Sequence, residues 1–375
     1  MNNSLQLKDL YDEFRDAKTI KAYAKIIAQD AKKLKKPLRI MEVCGGHTHT
    51  IMKYGLPQLM PKNVTFIHGP GCPVCVMPKE RIDHAYILSM QENVILVTLG
   101  DMIKVPGSKG SLQDARAKGA DVRFVYSPLD CLKIAKDNPT KTIIFFAIGF
   151  ETTTPMSAAL LDKIVTNKIP NILLHVNHVT VPEAMELLVS DKSSNIDAFL
   201  GPAHVSVISG SKIYDTFPKQ YNKPVVVSGF EPVDVMQSIS MLVKQKISSR
   251  CELEVQYDRA VSFDGNKKAQ DLIDKYFEKA DVFKFRGVGN IPNSGLKMRS
   301  TCNEYNAEYI YKNILPTKEI EDHKLCICGD ILKGVAKPNE CKVFGTTCKP
   351  SNPLGSCMVS SEGACAAYYK YGNLI

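Results

Sequence analysis

Eight short runs of valine, isoleucine, leucine and phenylalanine limit what this chain can fold into. Leu38–Val43, Val64–His68, Val94–Leu99 and Val122–Tyr126 form a first set, and Thr142–Ile148, Ile172–Val176, Ile196–Leu200 and Pro224–Val227 a second. The runs are apolar throughout rather than alternating, and stretches able to form helices separate them. A strand apolar on both faces must be covered on both, and alternating helices supply that cover. The pattern predicts an α/β fold of two parallel-sheet units with helices on both faces, spanning 38–135 and 136–230. Residues 1–37 and 231–375, where the cadence fades, make a third, cysteine-rich unit. Leu5–Leu34 carries apolar residues at helical spacing, among them Ile20, Ala24, Ile27 and Ala31, and Pro37 closes it. One or two helices packed on a later unit are expected there.

Ligands of parallel sheets bind beyond the carboxyl ends of the strands, and the unusual residues sit at those ends. The first unit has Cys44-Gly-Gly-His47-Thr-His49, Gly69-Pro-Gly-Cys72 and Gly100-Asp101. The second has Gly149-Phe-Glu151-Thr152-Thr153-Thr154-Pro155, Asn177-His178, Gly201-Pro-Ala-His204 and Gly229-Phe230-Glu231-Pro232. Two such rims facing each other make a cleft, although threonines also cap helices. Cys72 and Cys75 fall between a strand end and a helix start, where partial positive charge favours thiolate. Their spacing allows a redox disulfide, half a metal site, or two buried thiols without a role. Gly69-Pro70-Gly71 in front argues for close approach by a ligand.

The 375 residues, 44% hydrophobic and 23% charged, suit a globular protein of two or three domains. Net charge is +9, but the basic residues are dispersed, and the densest run, Lys32–Lys36, reads as a solvated helix end. No basic stripe with interleaved aromatics is present, so nucleic acid is not an expected partner. Neither a leader-like N-terminus nor a run long enough to span a membrane occurs, which makes a cytoplasmic protein the expectation. Arg286–Gly295 is glycine-rich without matching a nucleotide-binding fingerprint and reads as a structural loop. Twelve cysteines in such a chain point to metal or redox work. Six of them, Cys326, Cys328, Cys341, Cys348, Cys357 and Cys365, crowd into the tail beside glycines and prolines. Spread single cysteines without paired knuckles favour an iron–sulfur cluster over structural zinc.

Met41-Glu-Val-Cys-Gly-Gly-His-Thr-His, Gly69-Pro-Gly-Cys-Pro-Val-Cys, Gly149-Phe-Glu-Thr-Thr-Thr-Pro and the tail through Ser360-Ser-Glu-Gly-Ala-Cys-Ala-Ala-Tyr-Tyr together resemble the HypD family of NiFe-hydrogenase maturation proteins. The resemblance runs along essentially the whole chain. It implies a scaffold that binds a small HypC-type partner and on which iron transiently acquires two cyanides and one carbon monoxide, as an Fe(CN)2CO unit. Cyanide would come from a HypE-type donor, and the hydrogenase large subunit would be served indirectly. It also implies a 4Fe-4S cluster held by a Cys-x14-Cys-x6-Cys-x16-Cys pattern, here Cys326, Cys341, Cys348 and Cys365. Thiolate is the soft ligand that such iron prefers, so Cys44 is the expected iron ligand, with His47 and His49 close by. Cys72 and Cys75 are expected to exchange between dithiol and disulfide with electrons from the cluster. Glu151, Thr152 and Thr153 are expected beside the cleft, able to hydrogen-bond cyanide nitrogens. Two other readings are a stand-alone thiol oxidoreductase, and a zinc protein with Cys44, Cys72, Cys75 and His47 as one site and the tail as another.

Overall fold

All eight runs are strands in the computed structural model, which describes residues 12–191 and 194–372. They are β1 (Leu38–Glu42), β2 (Val64–His68), β3 (Val94–Leu99), β4 (Asp121–Val125), β5 (Thr142–Gly149), β6 (Ile172–His178), β7 (Ala198–Pro202) and β8 (Val225–Ser228); a ninth, β9 (Leu253–Val255), follows. Their apolar character on both faces is realised as burial, complete along β6 and β7.

The strands form two parallel sheets, ordered β2-β1-β7-β8-β9 and β4-β3-β5-β6. The sheets therefore do not coincide with the consecutive units 38–135 and 136–230. The whole second sheet is inserted between β2 and β7 of the first, and β1 pairs with β7 through Ile40–Glu42 against Ala198–Leu200. Each sheet starts from an inner strand, grows to one side, then crosses back to the other. Such a reversal opens a crevice at the carboxyl ends of the two strands that flank it. In the first sheet those strands are β1 and β7, and in the second β3 and β5.

The helix Ala17–Ala31 is capped by the Asp16 carboxylate, which accepts from Thr19 N at 2.7 Å. Ile20, Ile27 and Ala31 on its inner face pack with Val235, Met236 and Ile239 of the helix Pro232–Ile247 over β1, β7 and β8. It thus covers the first sheet and does not join the cysteine-rich tail. Residues 5–11 of the expected helical segment lie outside the described residues. The expected loop at Arg286–Gly295 is instead the turn and second arm of an antiparallel hairpin, β10 (Phe277–Phe285) and β11 (Gly289–Met298). Exposed charges on β10, such as Lys279 and Asp281, break the apolar run that marks the other strands. Among the described residues no helix is long and apolar enough to cross a membrane.

Candidate functional site

The first crevice is built on Cys44. The chain leaves β1 at Glu42 and enters the helix Gly45–Lys53 through Cys44, whose backbone is extended (φ −152°, ψ 128°). The Gly69–Gly71 loop after β2 runs directly beneath. Gly71 O accepts from Gly45 N at 3.1 Å, and a Cβ on Gly71 would fall inside the backbone of Val43 and Cys44. The fully buried Glu42 ties the turn together. Its carboxylate accepts from Cys44 N at 3.0 Å and from the Thr48 hydroxyl, and lies 2.7 Å from His68 Nδ1.

Across the crevice, His204 follows β7 and places Nε2 3.6 Å from Cys44 Sγ. His204 and His47 both stack on Phe230, at centroid distances of 4.6 and 4.5 Å. His47 Nε2 donates to Gly229 O at 3.0 Å, which leaves Nδ1 as a buried lone pair without a partner. Burial keeps both rings neutral, and together with His47 it lowers the His204 pKa to about 4. His49 is not part of the pocket. Two positions beyond His47 on a helix it points away, and it meets Tyr371 edge-on at 5.6 Å. Burial, with Glu362 and Glu42, pushes the Cys44 thiol well up.

The rim of the second sheet closes the crevice. Glu362 packs on Gly45, and its carboxyl is raised by burial and by Asp101, just beyond β3. Glu151, beyond β5, accepts from Val181 N at 2.9 Å through Oε1, while Oε2 is buried without a partner; burial raises its pKa to about 7. The buried Tyr214 phenol is pushed up by burial and by the charges of Glu151 and Cys44, and its hydroxyl is buried without a partner. The threonines behave as turn formers. Thr153 and Thr154 hydroxyls donate to Phe150 O at 3.2 and 3.0 Å, while Thr152 is half-buried.

A second centre is made of thiols. Cys72 precedes the single turn Pro73–Val76, and Cys75 lies within it, 1% exposed, its thiol pushed up by burial. Ser356 Oγ donates to Cys75 O at 2.5 Å, and this brings Cys357 against Cys75. From there the thiols touch in sequence: Cys72, Cys75, Cys357, Cys328, Cys326. Cys326, Cys328, Cys341, Cys348, Cys357 and Cys365 line one enclosed space. The six thiols lie there among Ile331, Val343, Phe344 and Met358, without histidine or carboxylate, which fits an iron–sulfur cluster, with Cys326, Cys341, Cys348 and Cys365 available to hold it. The approach of Cys328 and Cys357 to Cys75 was not legible in spacing, because each lies far from it in sequence.

The Cys44, Cys72, Cys75 and His47 set expected for zinc is not gathered: Cys75 faces Cys357, and His47 is held by Gly229 and Phe230. His84, His175 and Glu308 do converge, with ligand atoms within 4.8 Å of one another. The hydrogen-bond directions there nevertheless leave neither imidazole a free lone pair for an ion. Arg81 Nε donates to Asn177 Oδ1 at 2.6 Å, so Asn177 Nδ2 faces His175 Nδ1. His175 must then donate from Nε2 to His84 Nδ1, and His84 Nε2 donates to Pro316 O at 2.8 Å.

Fold and site define an α/β protein with a reversal-point cysteine and a thiol-lined centre, both suited to soft metals. The family described as Hydrogenase formation hypA family, HypD, matches residues 18–372. The chain is 50% identical over 368 residues to hydrogenase maturation factor HypD2 of Bradyrhizobium diazoefficiens, covering 96% of each chain. It is 48% identical over 367 residues to HypD of Azotobacter vinelandii, again 96% of each. With HypD of Escherichia coli it shares 43% over 364 residues, 96% of this chain and 97% of the other. The chain belongs to the HypD family of hydrogenase maturation factors.

Proposed function

We propose that this chain is the cytoplasmic scaffold on which, with a HypC-type partner, iron receives cyanide and carbon monoxide before transfer toward a hydrogenase. The reading rests on the Cys44 crevice, where the thiol at the reversal point of the first sheet lies 3.6 Å from the neutral His204 ring. His204 Nε2 is the base within reach of the Cys44 proton when the thiolate takes iron. A protonated Glu151 and the Tyr214 hydroxyl are donors suited to cyanide nitrogens, which only accept. Cyanide reaches the crevice from a HypE-type donor. The infrared spectrum of the chain purified without oxygen together with its small partner tests this. Bands of iron-bound cyanide and carbon monoxide are expected, and Cys44→Ala should abolish them. A silent spectrum in the parent complex would refute the scaffold.

The row of touching thiols supports a reducing function linked to it. With Cys72 and Cys75 as a disulfide, a Cys357 thiolate attacks Cys75 and releases Cys72 as thiolate. Cys328 then attacks Cys357 and releases Cys75, so that two electrons have moved outward to the Cys72–Cys75 pair and a Cys328–Cys357 disulfide remains. A 4Fe-4S cluster on the neighbouring cysteines would supply electrons singly. Single cysteines spread through the tail, without the paired knuckles common in zinc sites, favour a cluster over one zinc ion. Should the infrared window stay empty while the thiols cycle, the chain is a stand-alone thiol oxidoreductase.

A further inference from the structure

Arg286 is the one lysine or arginine fully buried among the described residues, at 3% exposure. Burying a guanidinium is costly unless its charge is answered, and here the answer is incomplete. Nε donates to Asp322 at 2.6 Å and Nη1 makes a long contact of 3.5 Å with Pro106 O, while Nη2 is buried with no partner. Its surroundings are the thiol centre. Arg286 N donates to Val76 O at 2.7 Å, at the end of the Cys72–Cys75 turn. The next residue, Gly287, presses on the Gly329 backbone beside Cys328. Asp322 leads into the turn in which Cys326 N donates to His323 O at 2.8 Å, and the Arg286 charge is felt at the Cys326 sulfur.

We propose that Arg286 is an electrostatic positioning residue of the thiol centre, a fixed buried cation that makes an iron–sulfur group held by Cys326 and its neighbours easier to reduce. The inference rests on the cluster reading above. Adding an electron to an anionic centre is favoured by a nearby positive charge that burial leaves unscreened. Asp322 takes up part of that charge and sets how much is felt.

The test is a redox titration, followed by electron paramagnetic resonance, of the full chain purified without oxygen. In Arg286→Gln the ratio of reduced to oxidised cluster at fixed potential should fall about tenfold, a shift of roughly 59 mV to more negative potential for one electron. Arg286→Lys should restore most of it, and Asp322→Asn should move the midpoint the other way. An unchanged midpoint in Arg286→Gln with iron content intact would overturn the proposal, as would equal shifts in the Gln and Lys variants. If Arg286→Gln lost its cluster, an unshifted Asp322→Asn would serve as the refutation. A parent chain without any iron–sulfur signal would instead overturn the cluster reading and this inference with it.

Discussion

Glu151 shows how burial sets chemistry at a single residue. With one oxygen bonded to Val181 N and the other unpartnered, its carboxyl is raised from 4.5 to about 7. A carboxyl raised on folding keeps its proton where the unfolded chain has lost it, so stability falls as pH climbs from about 4.5 to about 7 and stays lower above that. Glu151→Gln, which keeps an acceptor for Val181, should stabilise the chain at pH 8 by up to ~3 kcal/mol and change little at pH 4. Denaturant unfolding of parent and variant at both pH values measures this, and a pH-independent difference would contradict it. Cys44, His47 and Glu151 were legible as candidates because such residues seldom end apolar strands by chance. Glu42, Tyr214 and Glu362 were not, since what makes them notable is burial beside Cys44, which only packing confers.

At the scale of elements, the close approach of two loops explains the glycines. Gly71 lies against the backbone of Val43 and Cys44, and backbone cannot move aside as a side chain can. Gly71→Ala should therefore destabilise the chain by about 3 kcal/mol or more. Gly100→Ala, where a Cβ would meet nothing within 4 Å, should unfold like the parent. Thermal unfolding of the pair decides, and an equal effect at both positions would remove the loop-stacking argument. The eight parallel strands were legible because two covered faces demand an unbroken apolar run. The hairpin β10–β11 was not, because its arms mix exposed charges with buried Phe283 and Phe285.

Across the whole molecule, the tail is wedged against both strand-end motifs. Its helix Ala364–Tyr371 packs on Gly45–Lys53, and its turn Ser356–Met358 packs on Pro73–Val76. The approach of Cys357 to Cys75 exists only through that docking. Cys328→Ser and Cys357→Ser should each leave Cys72 and Cys75 oxidised after reduction by a protein donor too large to reach them, while Cys251→Ser recovers both thiols as the parent does. Differential alkylation read by mass spectrometry reports the outcome, and full recovery in Cys357→Ser would break the path. By itself the sequence determined the strands, their parallel pairing class, the crevice residues at the strand ends and the thiol-rich tail, because apolar runs and residue types act locally. Only the tertiary structure decided that one sheet is inserted in the other, that His204 rather than His49 meets Cys44, and that Cys357 meets Cys75. Those pairings join residues far apart in the chain, and their partners are chosen by packing and by the hydrogen bonds that burial makes obligatory.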